Sequence, residues 1–247
     1  MVDPRITVIN EKLKDAKNII AVSSGKGGVG KSLVASTLAL ILAKRGYKVG
    51  LFDLDFTSPS THLILGVKDI MPEEEKGIIP PMVHGLKYMS ITYFSSDYAS
   101  PLRGEDVSNA IIELLAITRW GKLDFLIIDM PPGISDATLD LLRLVKGTKF
   151  LIITTSSKLA FETVKKLMDL LRELKIPIIG VIENMKMKGS RFIQEQVENR
   201  GIAFLGEIPF DLQLEESLGD IDKLLGTVFA KKINEIVDRN HKIWCKD

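Results

Sequence analysis

The sequence predicts an α/β fold, a three-layer sandwich in which a mostly parallel central sheet carries helices on both faces. Apolar runs of strand length recur at 123–129, 150–154, 178–182 and 203–205, and helical patterns separate them. The 247 residues are enough for one domain that buries roughly 70 to 75% of its unfolded surface. A glycine-rich loop also joins a buried-type strand directly to a helical pattern, and the connections between elements are short. Right-handed crossovers would then gather the loops at the carboxyl ends of the strands along one edge.

The elements follow in order. Asp3-Pro4 reads as a helix cap with proline in the first turn, so 4–16 is a short helix, expected as an appendage formed by 1–17. Ile19, Ile20, Ala21 and Val22 mark a buried strand over 18–24, and 33–44 has apolar residues at helical spacing. A second strand over 48–53 ends in the acidic run Asp53-Leu54-Asp55. Pro72, Glu73-Glu74-Glu75 and Pro80-Pro81 suggest a surface loop before a strand at 86–91. Val107, Ile111, Ile112, Leu114 and Leu115 give 105–120 the apolar stripe of a helix packed on a sheet. A last helix is expected over 224–239. Beyond it, 241–247 is a charged, mobile tail with Ile243 and Trp244 embedded in it. The whole chain, 1–247, reads as a single domain, with 219–247 its C-terminal helix and tail.

Composition narrows the partners. Thirty-three basic residues against thirty-two acidic give a formal net charge of +1, which offers no global field for DNA or an acidic membrane. The single cysteine, Cys245, excludes an internal disulfide and fits a reducing cytosol. No apolar run approaches the ~20 residues of a membrane span, and the amino terminus has no signal-peptide pattern, so the expectation is a soluble cytoplasmic protein.

The run Gly25-Lys26-Gly27-Gly28-Val29-Gly30-Lys31-Ser32 carries the chemistry. Glycines let the backbone wrap an anion so closely that successive amides point at phosphate oxygens, and the following helix adds its positive end. Nucleotide binding is the leading expectation, in which Lys31 would supply the cation for the outer phosphates and Ser32 the hydroxyl for magnesium. Leu126-Ile127-Ile128-Asp129 is a strand ending in a carboxylate that could meet the same metal or cap a loop. Asp53 and Asp55 stand at the end of another strand, where either could act or cap.

Lys26, directly after the first glycine, is the mark of the deviant form of this loop. With it the chain resembles the deviant-loop P-loop ATPases, the group of the nitrogenase iron protein, MinD, ParA and the Mrp cluster carriers. The resemblance implies an ATP-dependent homodimer in which Lys26 reaches the partner's nucleotide, as an arginine finger does, with a loss of about three to five decades of rate when removed. It also implies that Asp55 positions the attacking water and Asp53 the metal's water shell, an assignment whose reverse stays open, while Ser32 and Asp129 hold magnesium.

The Mrp branch resembles the chain over 18–218. Pro131-Pro132-Gly133 with Asp136 matches its second switch, where Gly133 would offer an amide to the terminal phosphate. Glu183-Asn184-Met185 matches the segment whose asparagine reads adenine, as an amide that both donates and accepts can do. Pro209 and Asp211 match residues lining the base, and Arg103-Gly104 also follows the pattern.

Departures bear on function. Leu33 stands where a threonine is usual, and Ser58 where a glycine is; losing one hydroxyl contact to phosphate, at about 1.5 to 3 kcal/mol at most, weakens affinity without abolishing binding and implies a competent but slow ATPase. Where most members place Cys-x-x-Cys, this chain reads Lys186-Met187-Lys188-Gly189, so an iron–sulfur cluster held in the usual way is not expected. Two readings follow. One is an Mrp-type ATPase in iron–sulfur cluster assembly or transfer, with client or assembly proteins as partners. The other is a MinD- or ParA-like positioning ATPase on a membrane or DNA surface, although the tail has too few apolar residues for a strong anchor.

Overall fold

The computed structural model describes residues 4–94, 105–187 and 189–244. Arg103-Gly104, Lys188 and Cys245 lie outside the described residues. In chain order the elements are α1 (Pro4–Leu13), β1 (Ala16–Ser24), α2 (Lys31–Lys44), β2 (Val49–Asp53), α3 (Thr61–Leu65), β3 (Glu73–Glu74), β4 (Ile78–Ile79), β5 (Met82–Val83) and β6 (Leu86–Ser90). They continue as α4 (Glu105–Ile117), β7 (Leu123–Asp129), α5 (Asp136–Leu144), β8 (Thr148–Thr155), α6 (Lys158–Glu173), β9 (Ile178–Lys186), α7 (Phe192–Glu198), β10 (Phe204–Pro209), α8 (Ile221–Gly226), α9 (Val228–Arg239) and α10 (His241–Trp244).

Eight strands form one sheet in the order β10-β9-β8-β1-β7-β2-β6-β5, parallel except for the β5–β6 pair. The apolar runs are continuous because both faces are covered, and the two-residue period sends alternate side chains to opposite cores. Ile19, Ala21, Leu126, Ile128, Phe150 and Ile152 enter the core shared with α1, α4, α5, α6 and α7. Ile20, Val22, Leu51, Phe125, Ile127, Leu151 and Ile153 enter the core shared with α2 and α9. This alternation fixes the site, since Asp53 lies two residues beyond Leu51, and Asp129 two beyond Ile127. Both carboxylates therefore face the side covered by α2. In register, Asp129 pairs with Val22 of β1 and with Asp53 of β2.

Several boundaries differ from the sequence reading. The expected last helix is two helices, α8 and α9, because Thr227 turns extended (φ −66°, ψ 159°) and its hydroxyl accepts from the Ala230 amide as an N-cap. Apolar spacing does not register such a cap. The expected loop around Pro72–Pro81 contains the antiparallel pair β3–β4. The tail expected to be mobile forms α10 as far as Trp244, whose side chain is in the α2/α9 core. Ile9 and Leu13 of α1 are likewise buried in the opposite core. Pairing with β8 and β10 carries β9 on to Lys186, so Glu183 and Asn184 stand on a strand, not after one.

Candidate functional site

The loop between β1 and α2 is held on three sides. Ser24 Oγ donates to the Lys26 carbonyl at 2.9 Å. Gly25 runs so close to α6 that a Cβ there would overlap Thr163 Oγ1 and lie 2.6 Å from the Val164 amide nitrogen. Val29 is buried, and its carbonyl accepts from Asn184 Nδ2 at 2.9 Å. Gly30 has φ 80°, and a Cβ there would overlap the same Asn184 amide. Only glycine satisfies both demands. The first bond of α2 runs from the Val34 amide to the Gly30 carbonyl. The Lys31, Ser32 and Leu33 amides thus lie outside the helix ladder, at its positive end. Lys26, Gly27 and Gly28 form the exposed crest.

Beneath the crest, Lys31 Nζ donates to Asp129 Oδ1 at 2.5 Å and to Ser32 Oγ at 3.2 Å. The pair is closed to solvent, with Lys31 6% exposed and Asp129 0%. Burial pushes the Asp129 carboxyl up to about 6, Lys31 opposes that rise, and the neighbouring Asp53 adds to it. The second oxygen, Asp129 Oδ2, is buried with no hydrogen-bond partner. A buried carboxylate oxygen without a donor is expensive. A hard divalent cation, liganded by oxygen, fits that carboxylate oxygen and the nearby Ser32 hydroxyl. Burial also raises Asp53, against the bonds it accepts from Thr61 and from the Asp55 amide.

The remaining expected residues divide. Asp55 is 6% exposed, and its Oδ1 accepts from the Thr57 and Ser58 amides at 3.3 and 3.1 Å, so in this state it shapes the 56–60 loop. The Gly133 amide, the one expected to meet a terminal phosphate, donates here to the Ser24 carbonyl at 2.8 Å and ties the 131–133 loop to β1. Asn184 is 2% exposed and braces the phosphate loop through Val29. Met185, next to it within β9, takes φ 56°, a left-handed conformation costly for a non-glycine residue. Pro209 ends β10, while Asp211 receives the Gln213 and Phe229 amides and fastens that edge to α9. Asp211 therefore has a structural task that the sequence did not signal.

Sequence reasoning also missed a buried polar cluster on the strands next to Asn184. Glu183, 1% exposed, accepts from Ser156 Oγ at 2.7 Å and from Lys186 Nζ at 2.7 Å. Lys186 also reaches Glu207 Oε2 at 2.9 Å and the Ser190 carbonyl at 2.6 Å. Burial alone would lower the Lys186 ammonium, and its bonds to the two glutamates more than reverse that, leaving it above the ordinary lysine value. Lys186 occupies the stretch where a cysteine pair was sought. Among the described residues no group of three or more His, Cys, Asp or Glu side chains could hold a metal ion.

A ParA-type family model, described as NUBPL iron-transfer P-loop NTPase, matches residues 15–242. The chain belongs to that family. An iron–sulfur cluster carrier protein of Aquifex aeolicus (strain VF5) is 40% identical over 222 residues, covering 83% of this chain and 61% of the relative. Another, of Methanococcus maripaludis, is 34% identical over 265 residues and covers 98% of this chain and 92% of the relative. The chain spans 61 to 64% of the length of the Aquifex, Salmonella and Escherichia relatives.

Among solved structures, a nucleotide-binding protein of Archaeoglobus fulgidus in complex with ADP has TM-score 0.76 and 32% identity, with 89% of this chain and 92% of that chain covered. The cell division ATPase MinD of Pyrococcus furiosus has TM-score 0.65 at 21% identity over 91% of this chain and 99% of that one, and so shares the fold of this NTPase. No helix among the described residues is long and apolar enough to cross a membrane.

Proposed function

We propose that the chain is an ATP-binding and ATP-hydrolysing dimeric switch of the Mrp type, acting in iron–sulfur cluster assembly or transfer in the cytoplasm without the usual pair of ligand cysteines. The observation that carries the reading is Lys31 seated 2.5 Å from Asp129 at the mouth of the phosphate loop, with Asp129 Oδ2 left without a donor. In this reading the amides of Gly25, Lys26, Gly27, Gly28, Val29, Gly30, Lys31, Ser32 and Leu33 cradle the triphosphate. Ser32 and Asp129 hold magnesium, and Asp53 orders its water shell. Bound magnesium supplies charge neutralisation across the phosphates.

On ATP binding Lys31 leaves Asp129 for the outer phosphates, which frees the carboxylate. Asp55, released from the Thr57 and Ser58 amides, positions water, and Gly133 turns its amide from Ser24 to the terminal phosphate. Lys26, exposed on the crest, would act on a second subunit's nucleotide. Asn184, Pro209 and Asp211 border the base. Iron–sulfur clients, proposed on the strength of the carrier names borne by relatives, would bring the cluster as cargo, since this chain's described residues offer no ligand set.

Magnesium-dependent phosphate release from ATP, compared with Lys31→Ala, tests the enzyme, and equal rates would end the reading. Size-exclusion chromatography with Lys26→Ala and a slowly hydrolysed ATP analogue tests the dimer. Anaerobic reconstitution should give well under one cluster per dimer. For the MinD- or ParA-like alternative, Trp244 is not available as a surface anchor, because it is 1% exposed and committed to the core.

A further inference from the structure

Asp53 is 0% exposed, and the groups that hold it come from two elements outside the phosphate loop. Thr61, the first residue of α3, donates through Oγ1 to Asp53 Oδ2 at 2.6 Å and through its amide to the same oxygen at 3.3 Å. Tyr88 of β6 lies behind it, with its hydroxyl 2.8 Å from Thr61 Oγ1. Thr61 and Tyr88 are both 0% exposed, so no water competes for these bonds. The other carboxylate oxygen, Oδ1, takes the Asp55 amide at 3.0 Å.

The proton arrangement follows from the inventory of donors. An ionised carboxylate only accepts, so the single Thr61 hydroxyl proton goes to Asp53. Tyr88 must then donate to Thr61. The row Tyr88 to Thr61 to Asp53 is thus polarised in one direction and ends on the carboxylate, where each bond strengthens the next. Leu51 of β2 is in register with Tyr88 of β6, so the sheet itself sets the distance between the ring and the strand that ends in Asp53.

We propose that Thr61 and Tyr88 are positioning residues for the ATPase reaction: they lock the rotamer and the hydrogen-bonding capacity of Asp53, so that it presents the one lone-pair site left on Oδ1 to the metal's water shell. Neither residue touches nucleotide in this assignment. The inference rests on the nucleotide-hydrolysis reading above, and adds to it two side chains from α3 and β6. Because Thr61 also opens α3 directly after the 56–60 loop, the same bonds tie the end of that loop to the carboxylate.

The test compares wild type, Thr61→Val, Thr61→Ser and Tyr88→Phe for kcat, for KM of ATP and for the magnesium concentration giving half-maximal rate. Valine keeps the shape and removes the donor. Loss of a hydrogen bond to a charged group should lower kcat of Thr61→Val by about ten- to a hundredfold and raise the half-saturating magnesium. ADP affinity and KM should stay within about twofold, since Asp53 does not hold the phosphates. Thr61→Ser should recover most of the rate. Tyr88→Phe, one bond further away, should lose a smaller factor in the same direction, and it carries the test if Thr61→Val does not fold. Folded variants with wild-type kcat and magnesium response, or a serine variant no better than valine, overturn the proposal alone. A wild type with no magnesium-dependent turnover overturns it together with the ATPase reading.

Discussion

Replacing Gly30 by alanine should injure the protein through one identifiable atom, the Asn184 amide nitrogen. An alanine at φ 80° incurs left-handed strain of about 1–2 kcal/mol, and its methyl would overlap Asn184 Nδ2. Moving that amide breaks its bond to the Val29 carbonyl and leaves a buried acceptor unpaired, for about 1–3 kcal/mol more. Asn184→Ala alone forfeits the same bond, again about 1–3 kcal/mol. The bond can be lost only once. The double variant Gly30→Ala/Asn184→Ala should therefore be more stable than the sum of the singles by about 1–3 kcal/mol. Equilibrium urea unfolding of the four proteins without nucleotide measures the cycle, provided the slopes match. Additivity within about 0.5 kcal/mol would refute the close approach of Gly30 and Asn184.

Other outcomes follow from the same coordinates. Lys186→Met should cost about 3–5 kcal/mol in urea unfolding, because it leaves buried Glu183 without its cation; a loss below about 1 kcal/mol would mean that the ion pair contributes nothing net. Asp129 titrates higher when folded, at about 6, than in the unfolded chain, so its protonation favours the folded state. That contribution is fully present below the unfolded value of 3.8 and lost as pH rises through 6, amounting to about 3 kcal/mol at most. The stability of wild type minus that of Asp129→Asn, followed from pH 7 to 5, should therefore grow as pH falls. The difference isolates Asp129 from His62, which burial shifts downward and which acts in the opposite direction; a flat difference would contradict the buried placement. Thr227→Ala should lower stability by about 1 kcal/mol through loss of the α9 cap, read as a shifted thermal midpoint, and no shift would deny the cap.

Much of the fold was legible because a parallel sheet covered on both sides writes itself as apolar runs, and 123–129 was found with its bounds intact. The helix breaks were less legible. Thr227 interrupts an amphipathic pattern that reads continuously, since its hydroxyl, not its hydrophobicity, decides where α9 begins. In the site, the glycines, Lys31, Ser32 and the strand-end aspartates could be read from spacing because backbone approach and phosphate charge restrict residue types locally. Thr61, Tyr88 and Lys186 could not. Each acts through a partner on another element, and common residue types carry no local trace of that pairing.

The sequence by itself determined the layered α/β class, the glycine-rich loop at 25–32 between a strand and a helix, and the lack of a cysteine pair after Asn184, since these depend on period, residue type and short-range geometry. Only the tertiary structure decided that Asp53 and Asp129 lie side by side beneath Lys31, that Asn184 braces Val29, and that a threonine and a tyrosine stand behind Asp53. Strand order and register set those neighbours. Both arise from burying two apolar faces at once, a requirement met by the whole chain and not by any segment of it.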